Sequence, residues 1–195
     1  MRGVFECRRM ARRGRSRCGG FSLVELLVVT VLVASSALIA TPVFSAWHAR
    51  DRIDAAARAL LAGLTLARGE AIARGTRVVV CPADGRAQCL PKGHRCAGGA
   101  HAWSCGWMVV VDPERAAQVL RVYRHPAGLS IVAAAGAVEF TPPVGQVIGG
   151  FRKFEFAAAG RAVVGQTGAW NRCIRIAAGG RVRLERGGCS GRARA

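Results

Sequence analysis

The chain has 195 residues, 29 Lys and Arg against 11 Asp and Glu, and a formal net charge of +18. Such a surplus favours polyanionic partners such as nucleic acid or an anionic surface; an arginine excess with only two lysines, Lys92 and Lys153, is also what genomic base composition produces, so charge alone assigns no function. His48, His94, His101 and His125 have no metal-site or triad spacing, and no glycine-rich strand-to-helix phosphate motif is present, so composition and spacing argue against an enzyme.

Residues 1–20 carry Arg2, Arg8, Arg9, Arg12, Arg13, Arg15 and Arg17 against Glu6, which is +6 of the total and leaves +12 for residues 21–195. Gly19-Gly20-Phe21-Ser22-Leu23-Val24-Glu25 then opens an apolar run in which Glu25 is the sole ionisable side chain as far as Pro42. Its 22 residues at ~1.5 Å each make about 33 Å of helix, enough to span a bilayer. The basic leader holds the N-terminus in the cytoplasm and sends the remainder outward. A secretory signal peptide is cut after its apolar stretch, whereas here the small residues precede it. Met1 or Met10 is the start, and either preserves this junction. A carboxylate such as Glu25 inside an apolar span costs on the order of 2.5–3.5 kcal/mol and calls for a partner.

Beyond Pro42, which predicts a kink or a loosened turn, Ile53, Ala57, Leu60, Leu61, Leu64, Ala67, Ala71 and Ile72 recur at helical spacing. Arg50, Asp51, Arg58, Arg68 and Arg74 fall mainly elsewhere around the helix. Gly75 is the expected stop. Residues 76–195 suffice for one small core rather than two domains. Eight short strands are predicted, at 76–80, 107–111, 118–123, 130–133, 137–140, 154–157, 173–177 and 181–185. The last two flank Ala178-Gly179-Gly180, a hairpin turn. Trp107 sits in an apolar strand and is expected in the core; Trp103 is open between core and a base-stacking platform.

Cys7 and Cys18 lie in the basic segment 1–20, and six cysteines follow it: Cys81, Cys89, Cys96, Cys105, Cys173 and Cys189. An even number in an exported domain predicts disulfides, with fifteen connectivities open. Zinc competes, since His94 and His101 lie among four of them, but no Cys-x-x-Cys knuckle is present and no metal is expected. Residues 82–104 form the one long irregular stretch, expected to be stapled by pairs among Cys81, Cys89, Cys96 and Cys105. Cys173 and Cys189 are expected to fasten the C-terminal hairpin.

The junction Gly20-Phe21-Ser22-Leu23-Val24-Glu25 resembles the prepilin peptidase site of type IV pilins and type II secretion pseudopilins. The resemblance implies cleavage after Gly20, methylation of the Phe21 amine, and retention of the helix, with Glu25 meeting the Phe21 amine of a neighbouring subunit. Residues 60–72 leading into Arg77-Val78-Val79-Val80-Cys81, the Trp103-Ser-Cys-Gly106-Trp107 segment and the terminal Gly180-Arg181-Val182-Arg183 are similar to the FimT/GspH family of minor pilins and pseudopilins. That family implies an α+β, type IV pilin-like fold in which a long N-terminal helix packs on a small antiparallel β-sandwich-like head. The expected divisions are a cleaved leader at 1–20, a transmembrane and assembly helix at 21–47, its amphipathic continuation at 48–75, and the head at 76–195. The implied partners are other pilins or pseudopilins, prepilin peptidase and, before assembly, the inner membrane, with the head periplasmic; no cofactor is implied.

Arg181 and Arg183, two apart on a predicted strand, project from one face and suit successive phosphates. In the FimT branch the matching Gly-Arg-x-Arg motif is associated with DNA binding in natural transformation, which carries onto Gly180, Arg181 and Arg183. Arg186 is expected in the same cluster, and Arg172, Arg175, Arg192 and Arg194 in a wider patch, on charge alone. The plain alternative for these arginines is a solvated edge that discourages strand addition. The functional alternative to a DNA-binding minor pilin is a type II secretion pseudopilin acting at the pseudopilus tip through protein contacts.

Overall fold

A computed structural model describes residues 22–83, 88–91, 94, 102–112, 117–125, 128–133, 136–159, 168 and 170–190, without the side chains of 37–46 and 102. One helix, α1, runs over Leu23–Arg74, and the chain divides into two compact units at Pro42 and Val43. The helix continues through Pro42. Its start is set by Ser22, whose Oγ accepts the Glu25 backbone N–H at 3.2 Å while its carbonyl accepts that of Leu26 at 3.1 Å. Ser22-x-x-Glu25 has the spacing of a capping box, so this stretch of the junction also encodes a helix start.

In the first unit, Leu23, Val24, Leu26, Leu27, Val28, Val29, Val31, Leu32 and Val33 are all exposed, an apolar surface around the whole helix. The hydroxyls of Thr30, Ser35 and Ser36 donate to the carbonyls of Leu27, Leu32 and Leu32. Their polar atoms are therefore satisfied within the helix, as an apolar medium requires. Among the described residues no helix is long and apolar enough to cross a membrane; the described side chains stop at Ser36, inside the expected span of 21–47, which therefore lies partly outside them.

In the second unit, Ile53, Ala56, Ala57, Leu60, Leu64, Ala67 and Ala71 form the buried stripe of α1. Leu61 flanks it, half-buried. Ile72, expected on the stripe, is 47% exposed, because one residue past Ala71 turns the side chain by about 100° around the axis. Gly75, at φ 60°, ends the helix in the left-handed region as its sequence position predicts.

Among the described residues nine strands follow: β1 (Val78–Pro82), β2 (Gly106–Val111), β3 (Gln118–Arg124), β4 (Leu129–Ala133), β5 (Val138–Thr141), β6 (Gln146–Val147), β7 (Arg152–Ala158), β8 (Arg172–Ile176) and β9 (Val182–Arg186). All eight predicted strands are present with their ends moved by two residues or fewer; two-residue β6 is too short to leave a periodic signal. They form two antiparallel sheets, β3-β2-β1-β5-β6 and β4-β7-β8-β9. Val78, Val80, Val109 and Phe140 from the first sheet share one core with Ile131, Phe154, Phe156, Ile174 and Ile176 from the second and with the α1 stripe. Val79, Cys81, Met108 and Val110 form a smaller cluster on the other face of the first sheet, so β1 and β2 read as unbroken apolar runs.

Trp107 is wholly buried, and Trp103, left open by sequence, is 2% exposed with its ring edge-on to Phe154 at 4.8 Å. Neither indole is available to stack on a base. The Trp107 ring fits because Gly63 has no side chain: a Cβ there would stand 2.5 Å from two ring carbons. Gly63→Ala should therefore lower stability by ~1–3 kcal/mol despite the better helix propensity of alanine, measured as a denaturant midpoint. His125, edge-on to Tyr123 at 5.0 Å, has no hydrogen-bond partner for either ring nitrogen among the described residues, and burial pushes its pKa down from 6.5 to about 4. The unfolded chain then binds the proton more readily, so this contribution is complete above pH 6.5 and is lost as pH falls towards 4. Thermal melts should show His125→Phe with a shallower fall in Tm over that interval than the parent.

Candidate nucleic-acid interface

The hairpin between β8 and β9 carries the Gly-Arg-x-Arg motif. Its turn is closed by Gly180 N–H donating to the Ala177 carbonyl at 2.8 Å and Ala177 N–H to that of Arg181 at 3.0 Å. Gly180 has φ 77°, and a Cβ there would collide with the Gly145 carbonyl oxygen. The Val147 N–H donates to the Ala178 carbonyl at 2.9 Å, tying the turn to β6 of the other sheet. From α1, Arg68 donates to the Val144 carbonyl at 3.4 Å. Gly180 thus places the hairpin against the 144–147 turn by close backbone approach.

Strand alternation then sorts the arginines. On β8, Arg172, Ile174 and Ile176 share the buried parity, while Cys173 and Arg175 share the outer one. Register aligns Lys153 of β7 with Arg175 of β8 and Arg175 with Arg183 of β9, making a row of three cations across the outer face. Arg181 continues that parity just before β9 begins, and it is exposed, as are Arg183 and Lys153. Next along is the row Glu155, Cys173 and Glu185. Glu185 meets Arg175 at 3.0 Å, and Arg175 also donates to the Cys189 carbonyl at 3.0 Å. Like charges directly opposite on neighbouring strands are destabilising. Three in a row, even with Glu155 and Glu185 in the row beside them, suit an anion laid across the strands better than folding alone.

These cations line a groove of about 540 Å³ with Phe151 at one side. Of the residues expected at the interface, Arg181, Arg183 and Arg175 come together in it. Arg186 does not: three residues from Arg183, it takes the opposite strand parity and pairs in register with Arg172. Arg172, expected in a surface patch, is 5% exposed. Its guanidinium pairs with Asp54 of α1 and donates to the carbonyls of Trp170 and Asn171 at 3.1 and 2.9 Å, so it joins helix to sheet. Arg192 and Arg194 lie outside the described residues. Lys153, Arg152 and Phe151 were not singled out from sequence; Lys153 is one of only two lysines, but its place beside Arg175 depends on which strands pair.

Disulfides join Cys81 to Cys89 and Cys173 to Cys189. Cys105 is also disulfide-bonded, and Cys96 lies outside the described residues. The Cys81 thiolate that zinc would need is thus consumed in a covalent bond. The second disulfide holds the C-terminal segment on the outer face, where Glu155 also accepts the Cys189 backbone N–H at 3.1 Å. Gly20 and Phe21 lie outside the described residues, and Glu25 is exposed in the first turn of α1.

A long N-terminal helix, packed through its second half on antiparallel sheets, defines a pilin-like subunit of a type IV pilus or a type II secretion pseudopilus. Residues 56–180 match the family described as Type II transport protein GspH, and the chain belongs to that family of structural subunits. Residues 15–41 match the prokaryotic N-terminal methylation motif. This motif implies processing by prepilin peptidase, anchoring in the inner membrane as a prepilin, and assembly with other pilins. No curated protein matches the chain. Among solved structures, the Pseudomonas aeruginosa type IV minor pilin FimU matches at 21% identity and TM-score 0.50, over 70% of this chain and 90% of that one. A second crystal form of FimU gives 20% identity and TM-score 0.48, over 68% and 91%. The first of these matches shows the α+β pilin fold.

Gly180→Ala should lower Tm by several degrees through the collision with Gly145, whereas Gly179→Ala, with open space around its Cβ, should leave it within a degree or two. Paired thermal melts of the two variants check this.

Proposed function

We propose that the chain is a minor pilin of a type IV pilus that binds extracellular DNA without sequence preference during natural transformation. The observation that carries this reading is the cation row Lys153, Arg175 and Arg183, continued by Arg181, along one groove. Arginine forks and a lysine at strand spacing contact phosphates whatever the bases, and such binding falls steeply with salt. Among the described residues no helix outside α1 is longer than one turn, so none is suited to reading a major groove.

On this reading residues 1–20 are the leader, cut after Gly20, and the Phe21 amine is methylated. Residues 21–47 hold the protein in the inner membrane with the N-terminus cytoplasmic, 48–75 continue the helix, and 76–195 form the periplasmic head. Glu25 pairs with the Phe21 amine of a neighbouring subunit as the fibre grows. The Cys173–Cys189 link adds stability to the DNA-binding hairpin outside the cell, disulfides being worth ~2–4 kcal/mol.

The test is a titration of the full chain in detergent with duplex DNA at several salt concentrations, beside the double variant Arg181→Ala/Arg183→Ala. The parent should bind with a steep salt slope, and the variant should lose affinity at least tenfold and show a slope shallower by about two. Binding unaffected by the double substitution excludes this site. A second reading, a pseudopilin acting through protein contacts, is favoured by the family's description as a type II transport protein. It requires no DNA binding at low salt and, on gene deletion, lost export of folded enzymes with transformation intact.

A further inference from the structure

The groove has one feature that phosphate binding does not use. Phe151 is 77% exposed, the most exposed of the large apolar side chains described in the second unit, and it stands among cations. Leaving a phenylalanine in water forgoes ~1.5–3 kcal/mol of burial, so its position calls for an occupant. Its setting is also built. Gly149 and Gly150 both have φ 84°, a backbone course closed to most side chains, and they turn the chain so that Phe151 faces out. The Arg152 guanidinium then gathers three carbonyls, donating to Ile148 at 3.0 Å, Gly149 at 2.6 Å and Phe151 at 3.3 Å. The ring is therefore held on a braced turn rather than on a slack loop.

A flat aromatic face fixed beside a line of cations offers two kinds of contact at once. Cations take the phosphates of a strand, and the ring takes the π-face of a base. Bases in a duplex are already stacked on each other and present only their edges, so the ring gains nothing from duplex DNA. An unpaired strand has free faces. Resting on the DNA-binding reading above, we infer that the groove is a site for single-stranded DNA, with a base stacked on Phe151 and the neighbouring phosphates on Lys153, Arg181 and Arg183. Duplex DNA uses the cations alone, and an unpaired end of a duplex uses the whole groove.

The experiment measures binding of the full chain in detergent to a fluorescent 20-nucleotide oligo-dT and to a fluorescent 20-base-pair duplex at one salt concentration. Parent, Phe151→Ala, Phe151→Trp and Arg181→Ala/Arg183→Ala are compared. Phe151→Ala should weaken oligo-dT binding about tenfold, in line with the loss of one stacking partner, and change duplex binding less than twofold. Phe151→Trp should retain or strengthen oligo-dT binding, and the double arginine variant should weaken both probes. Equal weakening of both probes by Phe151→Ala, or no change in either, overturns the stacking site while Arg-dependent binding stands. Loss of fibre assembly by Phe151→Ala with oligo-dT binding intact assigns the ring to a protein contact and likewise overturns it. If the parent binds neither probe, or binding ignores Arg181 and Arg183, the DNA-binding reading fails first. An unchanged melting curve for Phe151→Ala, expected of so exposed a side chain, keeps these outcomes free of folding effects.

Discussion

The head depends on the burial of one helical stripe against two sheets at once. Ile53, Ala57, Leu60, Leu64, Ala67 and Ala71 recur every three or four residues, and small side chains at 57, 67 and 71 let the sheets come close. Gly63 is the extreme of that tendency, since Trp107 occupies the space a side chain would fill. The same burial positions everything else: with Phe154, Phe156, Ile174 and Ile176 inward, strand alternation leaves Lys153, Arg175 and Arg183 no face but the outer one. The cationic groove is thus the reverse side of the core.

Charge is divided by the same rule. Arg172 and Arg175 are three residues apart on β8 and chemically identical, yet one is sealed against Asp54 and the other lies in the groove. A buried arginine with its carboxylate and two carbonyls satisfied ties the helix to the second sheet; removing either partner would strand a buried charge. A high arginine count is therefore a poor guide to surface potential. On β8, strand parity decides which arginine meets solvent.

The two halves of the motif Gly180-Arg181-Val182-Arg183 have separate physical tasks. Gly180 allows a close approach of backbones that carries the hairpin onto the 144–147 turn, and the two arginines supply the charge. Val182 and Leu184, alternating with them, pack against the core and so hold both guanidiniums outward. A hairpin with polar residues at 182 and 184 would present the same arginines on a loose edge.

Much of this was legible in the chain itself, because the relevant signals are local. The apolar run after Gly20, the helical period from Ile53 to Ala71, the Gly75 stop and the eight β-branched strands each rest on neighbours in sequence, and the observed elements follow them. Ser22-x-x-Glu25 was legible as a helix cap too, hidden behind its role at the junction. The tertiary structure alone decided which strands lie side by side, and with it the alignment of Lys153, Arg175 and Arg183, the sealing of Arg172 against Asp54, and the burial of Trp103. Those outcomes depend on contacts between residues far apart along the chain. A one-residue change of register would undo the alignment of Lys153, Arg175 and Arg183 while leaving the local pattern untouched.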